Sequence, residues 1–371
     1  MNIALLGFGV VGRGVYDLSK QIPGLNVTKV VCLEDVTLPD AMVTKNFQDV
    51  LSDDVDLVVE AMGGLHPAYE FVRAAMEAGK HIVTSNKALV ATFFDTLLPL
   101  AEEKGLCFRC TAAVGGGIGW LSELERSRRT QTITKVGGIM NGTCNYILDS
   151  MTRLNLGYGE ALAQAQKLGY AEANPTTDVE GIDTWHKVIL SANIAFGVSL
   201  KTEEVPVAGI SRITGEDVAI FHEHSLCCKL VSTGKQENGS YSAYVQPTLF
   251  PAGALEAAVP ANFNLITLEG EASGRMSFYG QGAGRYPTAH NVVQDCVDVM
   301  SGKGFYCGYG SKVSVTNADQ LRFYVRGQAD AWLLEKKEQQ WGDAVVTEPV
   351  CVSEMHGWLK QHPEAFIAAF A

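Results

Sequence analysis

The sequence predicts an α/β protein: an N-terminal Rossmann-type doubly wound sheet, followed by an α+β domain built on a mixed sheet. Two observations predict this architecture. Before residue 110, short apolar strands alternate with helical patterns, which is typical of a parallel sheet with crossover helices. From about residue 225 to residue 280, four alternating segments are separated by turn residues, which indicates directly paired strands.

The chain opens with the apolar strand NIALL, and a glycine-rich turn follows at once. A lone GxGxxG is a weak signal, but this one ends a strand and opens a helix, as a dinucleotide-binding turn requires. The glycines allow a close approach of a pyrophosphate, and the helix N-terminus supplies free N–H groups. We therefore expect a dinucleotide, rather than a purely structural turn, at Gly7, Phe8, Gly9, Val10, Val11 and Gly12.

An acidic pair, Glu34 and Asp35, follows the second predicted strand. In dinucleotide-binding folds an acid about twenty residues past the glycines accepts hydrogen bonds from the adenine ribose and repels a 2′-phosphate. No arginine or lysine follows immediately. The sequence therefore favours NAD over NADP.

Two further turns should lie at the carboxyl edge of the parallel sheet, where ligands bind. Met62 and Gly63 follow one strand, and Ser85 and Lys87 follow the next. The helix dipole disfavours a lysine at a helix start. Lys87 is thus either a solvated residue or a cation directed at the cofactor.

Composition narrows the classes of partner. The 371-residue chain has a net charge of −12 with no basic stripe, which disfavours nucleic acids and anionic membranes as partners. No apolar run reaches transmembrane length. Nine cysteines and no export signal are typical of reduced thiols. We expect a cytoplasmic protein that acts on a small molecule.

The stretch from Gly169 to Lys187, GYAEANPTTDVEGIDTWHK, is rich in groups suited to acid–base chemistry. Asp178 is predicted to be the N-cap of a helix that begins at Val179. Asp183 and Lys187 lie four residues apart on that helix and can pair. Glu172 lies in the preceding loop. The alternative is an ordinary surface ion pair, which would contribute little.

Six segments together resemble the homoserine dehydrogenase family, and they occur in the family's order over about the first 300 residues. They are GFGVVGRG at 7–14, SNKALVA at 85–91, AAVGGGI at 112–118, GIMNGTCNYIL at 138–148, the stretch at 169–187 and GQGAGRYPTAHNVVQD at 280–295.

The resemblance implies NAD(P)-dependent interconversion of L-homoserine and L-aspartate 4-semialdehyde in threonine and methionine biosynthesis, by a homodimer. Lys187 matches the catalytic lysine and Lys87 a second, cofactor-side lysine, while Asp183 is expected to orient Lys187. Glu172, Asp178 and Asp183 match acids that bind substrate. The turn Asn141, Gly142 and Thr143 is expected to bind substrate, and the backbones of Gly169 and Gly282 to lie near the cofactor.

The resemblance also implies a bound Na⁺, held by a glutamate side chain and backbone carbonyls before the triple glycine. Here Thr111 stands at the glutamate position, so that ligand is missing. The carbonyls of Val114 and Gly116 would still be available as ligands.

We expect a dinucleotide-binding domain at 1–135, completed by about 285–315, and a catalytic and dimerisation domain at 136–284. Residues 316–371 are expected to be a short appendage of strand, helix, strand, helix, or a degenerate remnant of a regulatory ACT domain. Three alternatives stay open: a non-catalytic NAD-binding relative, another small amino-acid oxidoreductase of the same layout, and an acylating semialdehyde dehydrogenase that uses Cys144 as its nucleophile.

Overall fold

A computed structural model of the chain describes residues 1–304, 310 and 312–371. The described chain folds into two compact units, and each is made of several segments. The first unit contains Met1–Thr130, Asn193–Ser199 and Gly280–Lys312. The second contains Gln131–Ala192, Leu200–Tyr279 and Val313–Ala371.

The helices are numbered in chain order. They are α1 (Val10–Ser19), α2 (Ala68–Glu77), α3 (Lys87–Thr92), α4 (Phe94–Glu103), α5 (Trp120–Ser127), α6 (Gly142–Leu154), α7 (Tyr158–Lys167), α8 (Thr176–Val179), α9 (Ile182–Phe196), α10 (Gly215–Glu223), α11 (Arg285–Met300), α12 (Ala331–Glu335) and α13 (Val352–Gln361). Single 3-10 turns occur at Phe47–Leu51, Thr111–Ala113 and Thr202–Glu204.

The strands are numbered in the same way. They are β1 (Asn2–Leu6), β2 (Asn26–Val31), β3 (Met42–Thr44), β4 (Leu57–Glu60), β5 (His81–Thr84), β6 (Phe108–Arg109), β7 (Ile133–Ile139), β8 (Ser199–Leu200), β9 (Leu226–Glu237), β10 (Ser240–Pro251), β11 (Phe263–Gly270), β12 (Gly274–Gln281), β13 (Lys312–Val313), β14 (Gln320–Leu321), β15 (Phe323–Arg326), β16 (Lys337–Trp341), β17 (Ala344–Thr347), β18 (Val350–Cys351) and β19 (Phe366–Phe370).

The first unit is built on a parallel sheet with the strand order β3-β2-β1-β4-β5-β6. This is the order of a dinucleotide-binding Rossmann fold, and it confirms the predicted doubly wound sheet. All four residues of β4 and four of the five residues of β1 are buried, as expected when helices cover both faces of a sheet. The turns after β1, β4 and β5 therefore share the carboxyl edge.

Helix α11 packs in the apolar core of the first unit. Ala289, Val292 and Cys296 on α11 belong to the same buried cluster as Val15 on α1 and Leu5 on β1. The sequence predicts that residues from about 285 to 315 complete the first domain, and α11 lies in this unit.

The second unit contains a mixed sheet with the order β12-β11-β7-β9-β10-β19-β15-β17-β16. Strands β9 and β10 pair antiparallel over twelve residues, whereas β10 and β19 run parallel. The predicted mixed sheet is therefore confirmed. Helix α6 packs against β9 and β11 of this sheet, which fixes the entrance of the helix relative to β7.

The C-terminal segment has more strands than its sequence predicts. Besides α12 and α13 it contributes β15, β16, β17 and β19 to the mixed sheet. Strand β16, KEQQW, is almost wholly exposed, so it lacks the apolar alternation by which a strand is recognised. Phe323 and Ile367 of this segment share a buried cluster with Tyr244 of β10.

The predicted N-cap at Asp178 is wrong. Asp178 lies inside the short helix α8, whose N-cap position is Pro175. Gly181 has a φ of +78°, a left-handed conformation that L-residues rarely adopt, and it separates α8 from α9. The predicted single helix is thus two helices, with Asp178 on α8 and Asp183 on α9.

Within the described ranges, no helix combines the length and the apolarity needed to cross a lipid bilayer. None of the described cysteines takes part in a disulfide bond.

Candidate active site

A buried lysine–carboxylate pair lies on the first two turns of α9. The Nζ atom of Lys187 is 2.7 Å from Oδ2 of Asp183, as the i,i+4 spacing predicts. The same Nζ donates a hydrogen bond to the carbonyl oxygen of Met140 at 2.6 Å. Lys187 is 8% exposed and Asp183 is 6% exposed, so this is not the solvated surface pair of the alternative interpretation.

Asn141 connects this pair to a second carboxylate. It is the N-cap of α6, and its side-chain oxygen accepts a hydrogen bond from the N–H of Cys144 at 2.8 Å. Its Nδ2 atom donates to Oδ1 of Asp178 at 2.7 Å and to Oδ2 of Asp183 at 2.8 Å. One buried amide therefore holds together two acids that the sequence assigns to the substrate.

The ammonium group of Lys187 is not saturated. A protonated lysine has three N–H donors, and among the described residues its acceptors are Asp183 and Met140. One donor remains for a small polar molecule. The arrangement can therefore direct a positively charged donor at an oxygen atom of a ligand.

The remaining residues of the predicted substrate turn have structural contacts. The hydroxyl of Thr143 donates to the carbonyl oxygen of Tyr170 at 2.5 Å, which ties the residue after Gly169 to α6. A Cβ on Gly142 would lie 2.5 Å from the carbonyl oxygen of Asn262, so this position requires glycine. Gly169 itself is exposed, with a φ of +75°.

Glu172 lies outside the buried cluster. Its side chain is exposed, and its backbone carbonyl accepts a hydrogen bond from Gln166. Within the described part of the chain it forms no ion pair with Lys187. The structure therefore brings Asp178, Asp183, Asn141 and Lys187 together, and leaves Glu172 in solvent.

Cys144 does not have the properties of a nucleophile. Its side chain is fully buried, and burial, with a further contribution from Asp178, raises the pKa of its thiol well above the usual value. The thiol donates to the backbone carbonyl of Asp178 at 3.1 Å. Since the thiolate is the reactive form, this environment disfavours the acylating alternative.

The glycine-rich turn in the first unit has the geometry that a pyrophosphate requires. Gly7 has a φ of +95°, and a Cβ on Gly12 would lie 2.2 Å from the carbonyl oxygen of Gly7. The side chain of Val10 is 66% exposed at the start of α1, while Phe8 is buried. This turn and the free N–H groups of the helix fit a dinucleotide. Val11, between Val10 and Gly12, is half-buried.

Glu34 lies beyond the end of β2, exposed and paired with the guanidinium of Arg13. From the sequence alone, one can see only which positively charged residues follow Glu34 along the chain, and none follows immediately. Arg13, on α1, lies beside Glu34 in space. Its positive charge therefore offsets part of the negative charge that Glu34 would present to a nucleotide.

Glu60 is a buried acid at the cofactor-side turns that sequence reasoning missed. This fully buried acid ends β4, and its Oε1 accepts hydrogen bonds from the N–H groups of Met62 and Gly63 at 2.8 and 3.3 Å. Its Oε2 accepts from the hydroxyl of Thr84 at 2.5 Å. Burial raises the pKa of Glu60, although these hydrogen bonds oppose the shift. A charged residue at the end of an apolar strand was the available signal.

The second turn at this edge is also fixed by Glu60. The N–H of Ser85 donates to the carbonyl oxygen of Glu60 at 3.2 Å. Asn86 caps α3, whose first residue is the half-buried Lys87. The predicted cofactor residues Met62, Gly63, Ser85 and Lys87 are thus neighbours around one buried carboxylate.

The residues before the triple glycine do not fit a bound Na⁺. Thr111 donates both its N–H and its hydroxyl to Asp295. The carbonyl oxygen of Gly116 accepts a hydrogen bond from Nδ2 of Asn291 at 2.6 Å. Val114 and Gly282 lie in the same unit, and a Cβ on Gly116 would be 2.6 Å from the carbonyl carbon of Gly282.

Two family models match the chain, and between them they cover most of the first 300 residues. The model described as "Homoserine dehydrogenase, NAD binding domain" matches residues 7–110, and the model described as "Homoserine dehydrogenase" matches residues 120–297. The chain belongs to the homoserine dehydrogenase family. Members of this family are oxidoreductases, and the matched NAD-binding domain implies an NAD(P) cofactor.

Curated relatives agree with the family models. The chain is 40% identical over 316 residues to the homoserine dehydrogenase of Bacillus subtilis (strain 168), an alignment that covers 81% of this chain and 73% of that protein. It is 38% identical over 322 residues to that of Corynebacterium glutamicum, covering 82% and 72%.

Solved structures agree over the full length. A homoserine dehydrogenase from Thiobacillus denitrificans matches with a TM-score of 0.89 at 28% identity, covering 100% of this chain and 98% of that chain. The S. aureus enzyme matches with a TM-score of 0.79 at 29% identity and the same coverage.

Proposed function

We propose that the chain catalyses the NAD(P)-dependent interconversion of L-homoserine and L-aspartate 4-semialdehyde. The buried Lys187–Asp183 pair with one uncommitted N–H donor carries this proposal, and membership of the homoserine dehydrogenase family supports it. The reaction is a step of threonine and methionine biosynthesis.

In the proposed reduction, NAD(P)H supplies the hydride that reaches the aldehyde carbon. Lys187 stabilises the negative charge that develops on the aldehyde oxygen and donates a proton to it, which leaves a neutral amine and the alcohol. In the oxidation the amine takes this proton back. Asp183 orients the amine from 2.7 Å.

The substrate's own ammonium group needs an anionic partner. Asp178 and Asp183, held by Asn141, supply negative charge beside Lys187. Glu172 is exposed and is assigned to the same role on the strength of its place in the motif. Thr143 and Gly142 shape the backbone around the substrate, and Gly169 is assigned to the cofactor side. Lys87 is assigned to the cofactor side.

The assay that tests this proposal follows NAD(P)H absorbance with L-homoserine and a panel of other amino acids, using NAD and NADP in turn. Turnover with L-homoserine that exceeds every other amino acid supports the proposal. No turnover with either cofactor would favour the non-catalytic relative, and a different preferred amino acid would favour another oxidoreductase of the same layout.

We propose NAD as the preferred cofactor because Glu34 would repel a 2′-phosphate. The nearby Arg13 offsets part of that charge, so we expect a modest preference. Replacing Glu34 with Ser would leave Arg13 available to a phosphate and should shift the kcat/KM ratio toward NADP by about tenfold, equivalent to about 1.4 kcal/mol. An unchanged ratio would contradict this role for Glu34.

We propose that the chain forms a homodimer in the cytoplasm. Val231, Thr233 and Thr267 lie half-exposed on one face of β9 and β11, and a second copy would cover them. Described cysteines without disulfide bonds are consistent with a reducing compartment. Light scattering should give twice the 39.9 kDa chain mass. A monomer at micromolar concentration would contradict the dimer.

We propose that residues 316–371 are not a working amino-acid sensor. Their strands extend the mixed sheet, and their buried side chains pack on Tyr244 and Ala208. Adding L-threonine to the assay should leave turnover unchanged. Strong, saturable inhibition by L-threonine would overturn this assignment.

A further inference from the structure

Arg109, on β6 of the first unit, is a buried cation at the centre of an acidic cluster. It is 3% exposed, and its Nε atom donates to Oδ1 of Asp295 at 2.9 Å. Its Nη2 atom lies 3.1 Å from Oδ2 of Asp298 and 3.6 Å from Oε2 of Glu125. Its Nη1 atom donates to the carbonyl oxygen of Gly304 at 3.2 Å. All three of its nitrogen atoms therefore face acceptors.

The same carboxylate that binds Arg109 also holds the segment that leads to the triple glycine. Asp295 is 1% exposed. Its Oδ2 accepts the backbone N–H of Thr111 at 2.7 Å, and its Oδ1 accepts the Thr111 hydroxyl at 2.7 Å. Asp295 thus links α11 to the 3-10 turn at Thr111–Ala113, and Arg109 neutralises the charge that this link requires.

The charges in this cluster balance without an added ion. Three carboxylates, on Glu125, Asp295 and Asp298, face three cationic side chains among the described residues. Arg109 contacts all three acids, Arg129 is 2.9 Å from Glu125, and Lys303 is 3.9 Å from Asp298. A further cation would therefore meet no uncompensated negative charge.

One of the two carbonyl oxygens that a cation would use, that of Gly116, is already bound to a donor. Nδ2 of Asn291 lies 2.6 Å from the carbonyl oxygen of Gly116, and Asn291 is 5% exposed. Hard cations need oxygen ligands with free lone pairs directed at them. An amide N–H at this distance competes with a cation for that oxygen.

We propose that Arg109 does in this chain the structural work of a bound monovalent cation, so that the protein requires neither Na⁺ nor K⁺. The guanidinium is always protonated and binds carboxylates with a planar fork of donors. Arg109 can therefore fix the segment at Thr111–Gly117 permanently, whereas a dissociable ion would do so only when bound.

Thermal unfolding of the wild-type protein tests this proposal independently of its activity. The protein is freed of alkali metals and unfolded in NaCl, KCl and choline chloride at equal ionic strength. We expect midpoints that agree within about 1 °C, since an ion that binds only the folded state would raise the midpoint. A saturable rise in NaCl or KCl, absent in choline chloride, would overturn the proposal.

A variant pair supplies the converse test. Arg109→Gln removes the buried charge and leaves Asp295 without its cationic partner, so Na⁺ or K⁺ should raise its midpoint over that in choline chloride by about 2–4 °C or more. The control is Arg126→Gln, whose side chain is 80% exposed and whose nearest acid, Glu123, is 3.9 Å away. It should behave as the wild type. A folded Arg109→Gln variant that does not distinguish the salts would contradict the proposal.

Crystals of the wild-type protein soaked in thallium(I), which substitutes for K⁺, give a readout that needs no variant. We expect no anomalous peak beside the carbonyl oxygen of Gly116. A peak at that position would overturn the proposal even if the Arg109→Gln variant failed to fold.

Discussion

Two lysines in the second unit, Lys187 and Lys229, look alike by burial and differ in what they can do. Lys187 is 8% exposed and Lys229 is 0% exposed. Each donates to a backbone carbonyl oxygen, Lys187 to Met140 at 2.6 Å and Lys229 to Val259 at 2.8 Å. Burial of a lysine, by itself, would therefore identify either one as the catalytic residue.

The two lysines differ in their distance from a carboxylate and in their exposure to solvent. Lys187 has a carboxylate in direct contact and keeps 8% of its surface exposed, whereas Lys229 is fully buried. Lys229 donates to Oδ1 of Asn145 at 3.0 Å, and its nearest carboxylate oxygen, on Asp149, is 3.9 Å away. Burial lowers the pKa of Lys229, with the attraction of Cys227 and Asp149 opposing the shift. A fully buried lysine such as Lys229 holds a loop in place. A lysine such as Lys187, which is paired with a carboxylate and accessible to a ligand, can transfer a proton.

The largest expected effect is on turnover by Lys187→Ala. Loss of a positioned general acid lowers kcat by about 10²–10⁴-fold, and loss of charge stabilisation adds to this. We expect kcat to fall by at least about 10³-fold, with little change in NAD affinity measured by fluorescence titration. The matched control, Lys229→Met, should keep kcat within about twofold. A twofold change corresponds to RT ln 2, which is below about half a kcal/mol.

If Lys187→Ala retained near-wild-type turnover, the distinction between the two lysines would fail. It would also fail if Lys229→Met lost as much activity as Lys187→Ala while remaining folded by circular dichroism.

The next effect is on stability and concerns Lys229. Lys229→Met leaves the buried Oδ1 of Asn145 and the carbonyl oxygen of Val259 without this donor. Each such loss costs about 1–3 kcal/mol. We expect the free energy of unfolding, from urea titration, to fall by about 2–3 kcal/mol. An unchanged urea midpoint would mean that Lys229 does not anchor the segment at 259.

A smaller effect on turnover is expected for Asn141→Ala. This variant removes the amide that donates to both Asp178 and Asp183, a loss of about 1–3 kcal/mol that corresponds to a fall in kcat of about 10–100-fold. The exposed Asn174 in the preceding loop supplies a control, Asn174→Ala, which removes two hydrogen bonds from Thr176 but should leave kcat within about twofold. A purely structural Asn141 would change the melting temperature and leave kcat of the folded protein unaltered.

The smallest effect is a pH dependence of stability that comes from Lys229. Its pKa is lowered in the folded state from the ordinary lysine value of 10.5, so at neutral pH the unfolded state holds this proton more readily than the folded state does. The resulting loss of folding stability decreases as the pH rises from the folded-state pKa of Lys229 through 10.5. The wild type should therefore gain stability relative to Lys229→Met over this alkaline range. If the difference in unfolding free energy between the two proteins did not change with pH, Lys229 would not destabilise the folded state at neutral pH.

Much of the fold followed from local patterns. The strand–glycine turn–helix at residues 2–19 and the pairing of Asp183 with Lys187 depend on residues that are close in the chain, where periodicity and spacing act directly. The break at Gly181 was missed because the apolar pattern of α9 continues backwards through Val179. Only the positive φ of Gly181 divides the two helices.

Contacts between distant residues could not be predicted in the same way. Arg109 and Asp295 are separated by 186 residues, and Asn141 and Asp183 by 42. Nothing in the local sequence distinguishes these polar residues from exposed ones. Glu60 is an intermediate case, since its position at the end of an apolar strand was visible but its hydrogen bonds to Met62 and Gly63 depend on the turn geometry.

The most direct test of the role of Lys187 is a crystal structure of the protein with NAD and L-homoserine bound. We expect Nζ of Lys187 within about 2.6–3.2 Å of the hydroxyl oxygen of homoserine, the reach required for proton transfer, while Asp183 keeps its contact with the amine. A homoserine hydroxyl bound beyond reach of Nζ, with another side chain in its place, would contradict the assignment of Lys187 as the proton donor.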